Sequence, residues 1–98
     1  MELTIQSVNF EATEQLRAFA EKKVKKLERF SDDIIQAEVI LKVIKPDAAN
    51  NKDAAVKLLH RHGEAYANKK ADTFEEAVDL CTVAIEKQII KSKEKKER

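Results

Sequence analysis

From Ala37 to Ile44 the chain alternates, with Ala37, Val39, Leu41 and Val43 on one side of an extended backbone and Glu38, Ile40, Lys42 and Ile44 on the other. A period of two is the pattern of a strand with one buried face, and one such strand requires neighbours to pair with. Pro46 has no N–H with which to continue a ladder, and residues 47–51 are small and polar, so the strand is expected to stop in a loop. Ala54, Val56 and Leu58 then alternate with Ala55, Lys57 and Leu59 in a second strand of the same kind. The run His60-Arg61-His62-Gly63 holds the only glycine of the chain and reads as a hairpin turn into a further strand from Glu64 to Asn68. Near the N-terminus, Leu3 and Ile5 alternating with Thr4 and Gln6 supply a short fourth strand, followed by a loop from Ser7 to Ala12.

The rest of the apolar residues follow a helical period. Leu16, Phe19, Ala20, Val24, Leu27 and Phe30 form one stripe, with Thr13 placed to cap the helix and Glu14 in its first turn, where the helix dipole favours an anion. That helix is expected to end near Phe30, before a turn at Ser31-Asp32-Asp33. Asp72 followed by Glu75 resembles a capping box for a second helix. Its expected buried stripe is Phe74, Val78, Cys81, Ile85 and Ile89, widened by Ala77, Ala84 and Leu80. The lysine-rich end, residues 87–98, is expected to fray. The order is therefore β-α-β-β-β-α: an α+β two-layer sandwich, a four-stranded sheet with two helices packed on one face. With 98 residues and no linker or repeat, the chain is read as a single domain, 1–98.

Charged residues make up 38% of the chain, yet the net charge is only +1. The balance conceals segregation. Lys22 to Arg29 carries +4 and Lys87 to Arg98 another +4, so the remainder sums to −7. On the first helix, Lys22, Lys25, Lys26 and Arg29 fall opposite the apolar stripe, while Lys23 lies nearer its edge, where the stem packs and the ammonium reaches water. Glu14, Glu21 and Glu28 form a separate acidic line. With both helices on one side of the sheet, the two basic blocks share a surface.

Catalysis finds little support. One glycine builds neither a P-loop nor a nucleophile elbow. Cys81 sits on a buried stripe, where a free cysteine acts as a small hydrophobe, and a single cysteine forms no intramolecular disulfide. His60 and His62 flank a turn and bring no third or fourth metal ligand, so they read as surface histidines. No carboxylate pair is nominated for acid–base work. The expectation is no enzyme, no cofactor, no metal and no small-molecule substrate. No apolar run approaches the ~18 residues of a membrane span, and no secretory signal opens the chain, so a cytoplasmic protein is expected.

Lysine-rich helix faces are ordinarily only soluble surface. Two on the same side of a sheet are a candidate phosphate-binding surface, because each phosphate contact releases condensed counterions. Tyr66 is the only strand aromatic, which argues against base stacking on the sheet and for backbone and shape recognition of structured RNA. The opposite sheet face offers a modest apolar patch of Ile40, Ile44, Leu59 and Tyr66.

These features, taken in order, resemble the short ribosome hibernation promoting factors and the related ribosome-associated inhibitor. The similarity runs through Leu3-Thr4-Ile5, Thr13-Glu14, Leu16-Arg17, Phe19, Lys23, Lys26-Leu27-Glu28, Gln36 and Val39-Ile40-Leu41-Lys42-Val43. It continues through Glu64, Ala77-Val78-Asp79 and Lys87-Gln88-Ile89, followed by Lys91, Lys93 and Lys95. The resemblance implies a fold similar to a double-stranded-RNA-binding domain. It also implies binding of the small ribosomal subunit and its rRNA in the channel used by messenger RNA and transfer RNA, which silences translation when growth slows or under stress. Lys23, Lys26, Lys42, Lys87, Lys91, Lys93 and Lys95 match basic positions of that family. Lys22, Lys25 and Arg29 join the expected rRNA-binding set on electrostatic grounds alone. Ala84 stands where some relatives are basic. The chain ends at Arg98 without the linker and second domain of long-form members, so any pairing of ribosomes is expected to need a separate dimerising factor. Two rival readings stay open: a general structured-RNA-binding module, and a protein-interaction domain using the outer sheet face.

Overall fold

The computed structural model describes residues 1–30, 33–45, 49–61 and 63–96, with side chains described through Lys91. The elements are β1 (Glu2–Val8), α1 (Glu14–Lys25) continued by a 3-10 turn (Lys26–Arg29), β2 (Ile34–Val43), β3 (Lys52–His60), β4 (Gly63–Ala71) and α2 (Phe74–Lys96). The expected β-α-β-β-β-α sandwich is present, with strand order β1-β2-β3-β4. β1 runs parallel to β2, as a crossover through a helix permits, whereas β2–β3 and β3–β4 are antiparallel.

Leu16, Ala20, Val24 and Leu27 bury one stripe of α1 and its 3-10 extension. The Thr13 hydroxyl accepts from the Leu16 N–H at 3.1 Å, which makes it the N-cap. Ala37, Val39 and Leu41 of β2 and Ala54, Val56 and Leu58 of β3 are fully buried beneath the helices. α2 lies across β3 and β4, where Ala54, Ala65, Ala67 and Ala71 are small enough to admit the larger Val78, Cys81, Ile85 and Ile89. Phe10, from the β1–α1 connection, stacks on Phe74 with centroids 4.5 Å apart and ties that loop to the start of α2.

Several boundaries differ from the sequence expectation. β1 extends to Val8 because it pairs along β2 as far as Lys42, and β4 extends to Ala71 because it pairs with Lys52. The cap of α2 is Thr73, whose hydroxyl accepts from the Glu76 N–H at 3.2 Å. Asp72 instead accepts the Asn50 N–H at 2.7 Å and anchors the β2–β3 connection. Leu80, expected in the buried stripe, is 42% exposed, and Thr82 is buried in its place. The reason is rotational: Thr82 lies on the side of α2 that carries Asp79, the partner of Lys23 in α1, while Leu80 lies with Val83 and Lys87 on the outward side. A bulge at Ile35 keeps both Ile34 and Ala37 on the buried side and leaves Ile35 exposed. Ser31 and Asp32 of the expected turn, residues 46–48 of the expected loop, and His62 of the hairpin lie outside the described residues.

One side chain blunts the β4 edge at Tyr66. The Gln88 amide accepts from the Tyr66 N–H at 2.9 Å and donates to the Tyr66 carbonyl at 2.7 Å. It thereby occupies backbone groups that an edge strand otherwise offers to another chain.

Candidate nucleic-acid interface

Opposite the buried stripe of α1, Lys22, Lys25, Lys26 and Arg29 are all exposed. Lys25 pairs with Glu21 one turn earlier at 2.8 Å, and that hydrogen bond holds its pKa above the usual lysine value. Among the described residues, no ion pair joins Lys22, Lys26 or Arg29 to an acid. The tightening of the last turn to 3-10 geometry has a consequence here. At three residues per turn, positions i and i+3 eclipse, so Lys26 and Arg29 stand in line while Leu27 and Phe30 stand in line on the core side.

Lys23 behaves differently. Its ammonium pairs with Asp79 of α2 at 3.1 Å and lies 5.6 Å from the Phe19 ring centre, with the side chain 30% exposed. It closes the seam between the helices. At the other end of that seam, Gln15, Leu16 and Phe19 share a surface cavity with Glu75. Residues 15–19 bordering the same cavity as Glu75, and Lys23 pairing with Asp79, mean that the two helices advance in the same sense. α2 begins with Glu75, Glu76 and Asp79, and its second half carries Lys87 and Lys91, both exposed on the side away from Ile85 and Ile89. The basic halves of both helices therefore lie toward the same end of the layer. Lys93 and Lys95 continue α2, with side chains outside the described residues.

Lys42 is not brought to this face. Leu41 is buried and Val43 packs against the core, so Lys42 points from the opposite side of the sheet. There it stands in a cross-strand row with Val8, Asp53 and Lys70. The apolar patch expected on that outer face is interrupted. Ile40 and Leu59 belong to rows separated by the facing pair Glu38 and Lys57, and Lys57 approaches Glu64 at 3.6 Å. Ile44 lies just past the end of β2, and Tyr66 is exposed at the far edge. A shallow depression of about 110 Å³ there is lined by Gln36, Glu38, Lys57, Leu59 and Glu64.

The Cys81 thiol donates to the Ala54 carbonyl at 3.2 Å and lies 3.7 Å from that of Ala67. Burial pushes its pKa up to about 11, which holds it as an unreactive thiol. Among the described residues, no cluster of three or more His, Cys, Asp or Glu side chains could hold a metal. No helix among them is long and apolar enough to cross a membrane.

One feature of the helix layer escaped the sequence reading. Leu80, Val83 and Ile90 are exposed on α2 in line with Lys87. The spacing 80, 83, 87, 90 was available in the sequence, on the side opposite Cys81, but the stripe through Cys81 accounted for the helix without it.

The ribosome hibernation promoting factor of Escherichia coli K12 is 35% identical over 95 residues, covering 97% of this chain and 96% of that protein. The protein of the same description from Azotobacter vinelandii is 33% identical over 96 residues, covering 97% of this chain and 85% of its own. Two solved structures share the fold. The Thermus thermophilus Protein Y N-terminal domain superposes with a TM-score of 0.77 at 23% identity, over 91% of this chain and 96% of that one. A ribosomal subunit interface protein from Coxiella burnetii gives 0.78 at 22% identity, over 95% and 98%. Residues 3–97, nearly the whole chain, match one family model, and the protein belongs to the Sigma 54 modulation protein / S30EA ribosomal protein family.

Proposed function

We propose that this protein is a cytoplasmic ribosome hibernation factor that docks its basic two-helix face on rRNA of the small subunit. There it occupies the channel of messenger and transfer RNA and stops translation under slow growth or stress. The observation that carries this reading is the gathering of Lys22, Lys26, Arg29, Lys87 and Lys91 toward one end of the helix layer, exposed and without acidic partners among the described residues. Relatives of 33–35% identity named as ribosome hibernation promoting factors support the ribosome as the target. Lys93 and Lys95 extend the same basic segment, and Lys25 adds charge at its border. Lys23 contributes by holding the helices together. A channel surrounds its occupant, so Lys42 on the other side of the sheet meets RNA from a second wall.

About five phosphate contacts give a salt slope near −4, so affinity falls by roughly a hundredfold or more between 50 and 200 mM salt. Sedimentation with ribosomes at those two salt concentrations is the test. Co-migration with the small subunit at low salt and its loss at high salt is the expected result. A protein that stays at the top of the gradient at low salt overturns the reading. Free duplex RNA that displaces it at concentrations comparable to ribosomes turns the reading into that of a general RNA-binding module.

A further inference from the structure

The outward side of α2 is not uniformly polar. Leu80, Val83 and Ile90 are 42%, 42% and 44% exposed, on a helix whose other exposed described positions are charged apart from Gln88. At about 100° per residue these three and Lys87 fall within an arc of about 80°, opposite Cys81, Ile85 and Ile89. The line is about 15 Å long at 1.5 Å per residue. Lys87 lies inside it and Lys91 on its border, so the apolar line runs into the same cationic end of the helix layer.

We propose that this line is a second component of the RNA contact, in which Leu80, Val83 and Ile90 lie against ribose and base edges in the shallow minor groove of an A-form RNA helix. Lys87 and Lys91 reach the phosphates that flank it. The inference rests on the RNA-binding reading above and adds the groove and the apolar term. Charge selects the occupant. Lys87 interrupts the apolar line, and an apolar protein groove laid over the whole line strips water from its ammonium without supplying an anion. An RNA minor groove offers both chemistries side by side, since it exposes 2′-hydroxyls, sugars and base edges between two phosphate rims.

The two components separate in a salt series, because apolar contact with sugar and base releases no counterions. The variant carrying Leu80→Gln, Val83→Gln and Ile90→Gln keeps good helix formers at exposed positions and is expected to melt as the parent does. Its affinity for small subunits is expected to fall by about ten- to a hundredfold at every salt concentration, with the slope unchanged. A diazirine amino acid in place of Val83 is expected to cross-link to rRNA. Parent-like affinity of the triple variant overturns the inference, as does capture of a ribosomal protein or a second copy of this chain from position 83. In those cases salt-sensitive binding by the parent protein leaves the ribosomal reading intact. A parent protein that fails to bind small subunits at low salt removes both.

Discussion

The two surfaces of this sandwich are built from similar charged residues and end up electrostatically unlike. On the outer sheet face, cross-strand neighbours carry opposite charge: Glu38 faces Lys57, and Lys42 faces Asp53, which in turn faces Lys70. Lys57 leans to Glu64, and the Asn68 amide donates to Asp53 at 2.9 Å. Each cation there has an anion as its neighbour. On the helices, charge sorts along the axis instead, with Glu14 opening α1 before Lys22, Lys23 and Lys25, and Glu75 and Glu76 opening α2 before Lys87 and Lys91. Each helix favours that order, because its N-terminus attracts anions and its C-terminus cations. Because both helices advance in the same sense, the two gradients add. A chain of net charge +1 thereby acquires a cationic end on one face and a neutralised surface on the other.

The largest effect expected from this contrast comes from reversing the helix face. The combination Lys26→Glu, Lys87→Glu and Lys91→Glu replaces three exposed cations and is expected to weaken binding to small subunits by more than about a hundredfold. Thermal unfolding should stay close to that of the parent, since all three side chains are exposed. Lys57→Gln, on the neutralised face, is expected to leave binding within about twofold. Equal losses from the two variants erase the distinction between the faces. Lys42→Gln sharpens it: a salt slope reduced by about 0.7–0.9 places RNA on the outer sheet as well.

The next effect lies between the layers. Cys81 connects α2 to the carbonyls of Ala54 and Ala67, and its thiol is raised to about 11 from the ordinary value of 9.0. In the unfolded chain the thiol ionises first, so this site's contribution to stability is full below about pH 9 and is lost as pH rises through about 11. By pH 10.5 the loss amounts to about 2 kcal/mol. The stability difference between parent and Cys81→Ala should therefore shrink by about that amount between pH 8 and pH 10.5 in chemical denaturation. A difference that is constant with pH contradicts a thiol held neutral by burial.

A smaller effect belongs to the β4 edge. Gln88→Ala frees the N–H and carbonyl of Tyr66 and removes two hydrogen bonds worth about 1 kcal/mol each at most. Amide exchange at Tyr66 should quicken and self-association at high concentration should rise, whereas Gln88→Glu, which retains the acceptor, should be intermediate. Unchanged exchange at Tyr66 removes the clasp from the account.

The fold was legible because each element announces its own period: alternation in Ala37–Val43 and Ala54–Leu59, and helical stripes through Leu16–Leu27 and Phe74–Ile89. What escaped depended on how elements meet. Asp72 and Thr73 are both good caps by residue type, and only the path of the β2–β3 connection gives Asp72 to Asn50 and leaves Thr73 to the helix. Leu80 borders the stripe on a helical wheel, yet the rotation of α2 over the sheet leaves it on the outward side, 42% exposed. The helical basic residues were legible from charge runs and Lys42 through the family resemblance, but the partner of Lys23 was not. The alternation of β2 already put Lys42 on the far side, whereas only the crossing of the helices commits Lys23 to Asp79.

That pairing gives the smallest and most discriminating effect. Lys23 and Lys26 lie one turn apart on the same helix, yet one has an intramolecular anion and an aromatic face while the other is exposed without an acid among the described residues. A half-exposed ion pair contributes about 0.5 kcal/mol, so a double-mutant cycle of Lys23→Gln with Asp79→Asn should show coupling of that order in thermal unfolding. The same cycle with Lys26→Gln should show none. In ribosome binding the order inverts: Lys26→Gln should lower the salt slope by about 0.7–0.9, as the loss of one phosphate contact requires, while Lys23→Gln should leave it unchanged. If Lys23→Gln lowers the slope as much as Lys26→Gln, the ammonium abandons Asp79 on the ribosome. The seam is then a resting position for a phosphate ligand, and docking must cost the coupling measured in the free protein.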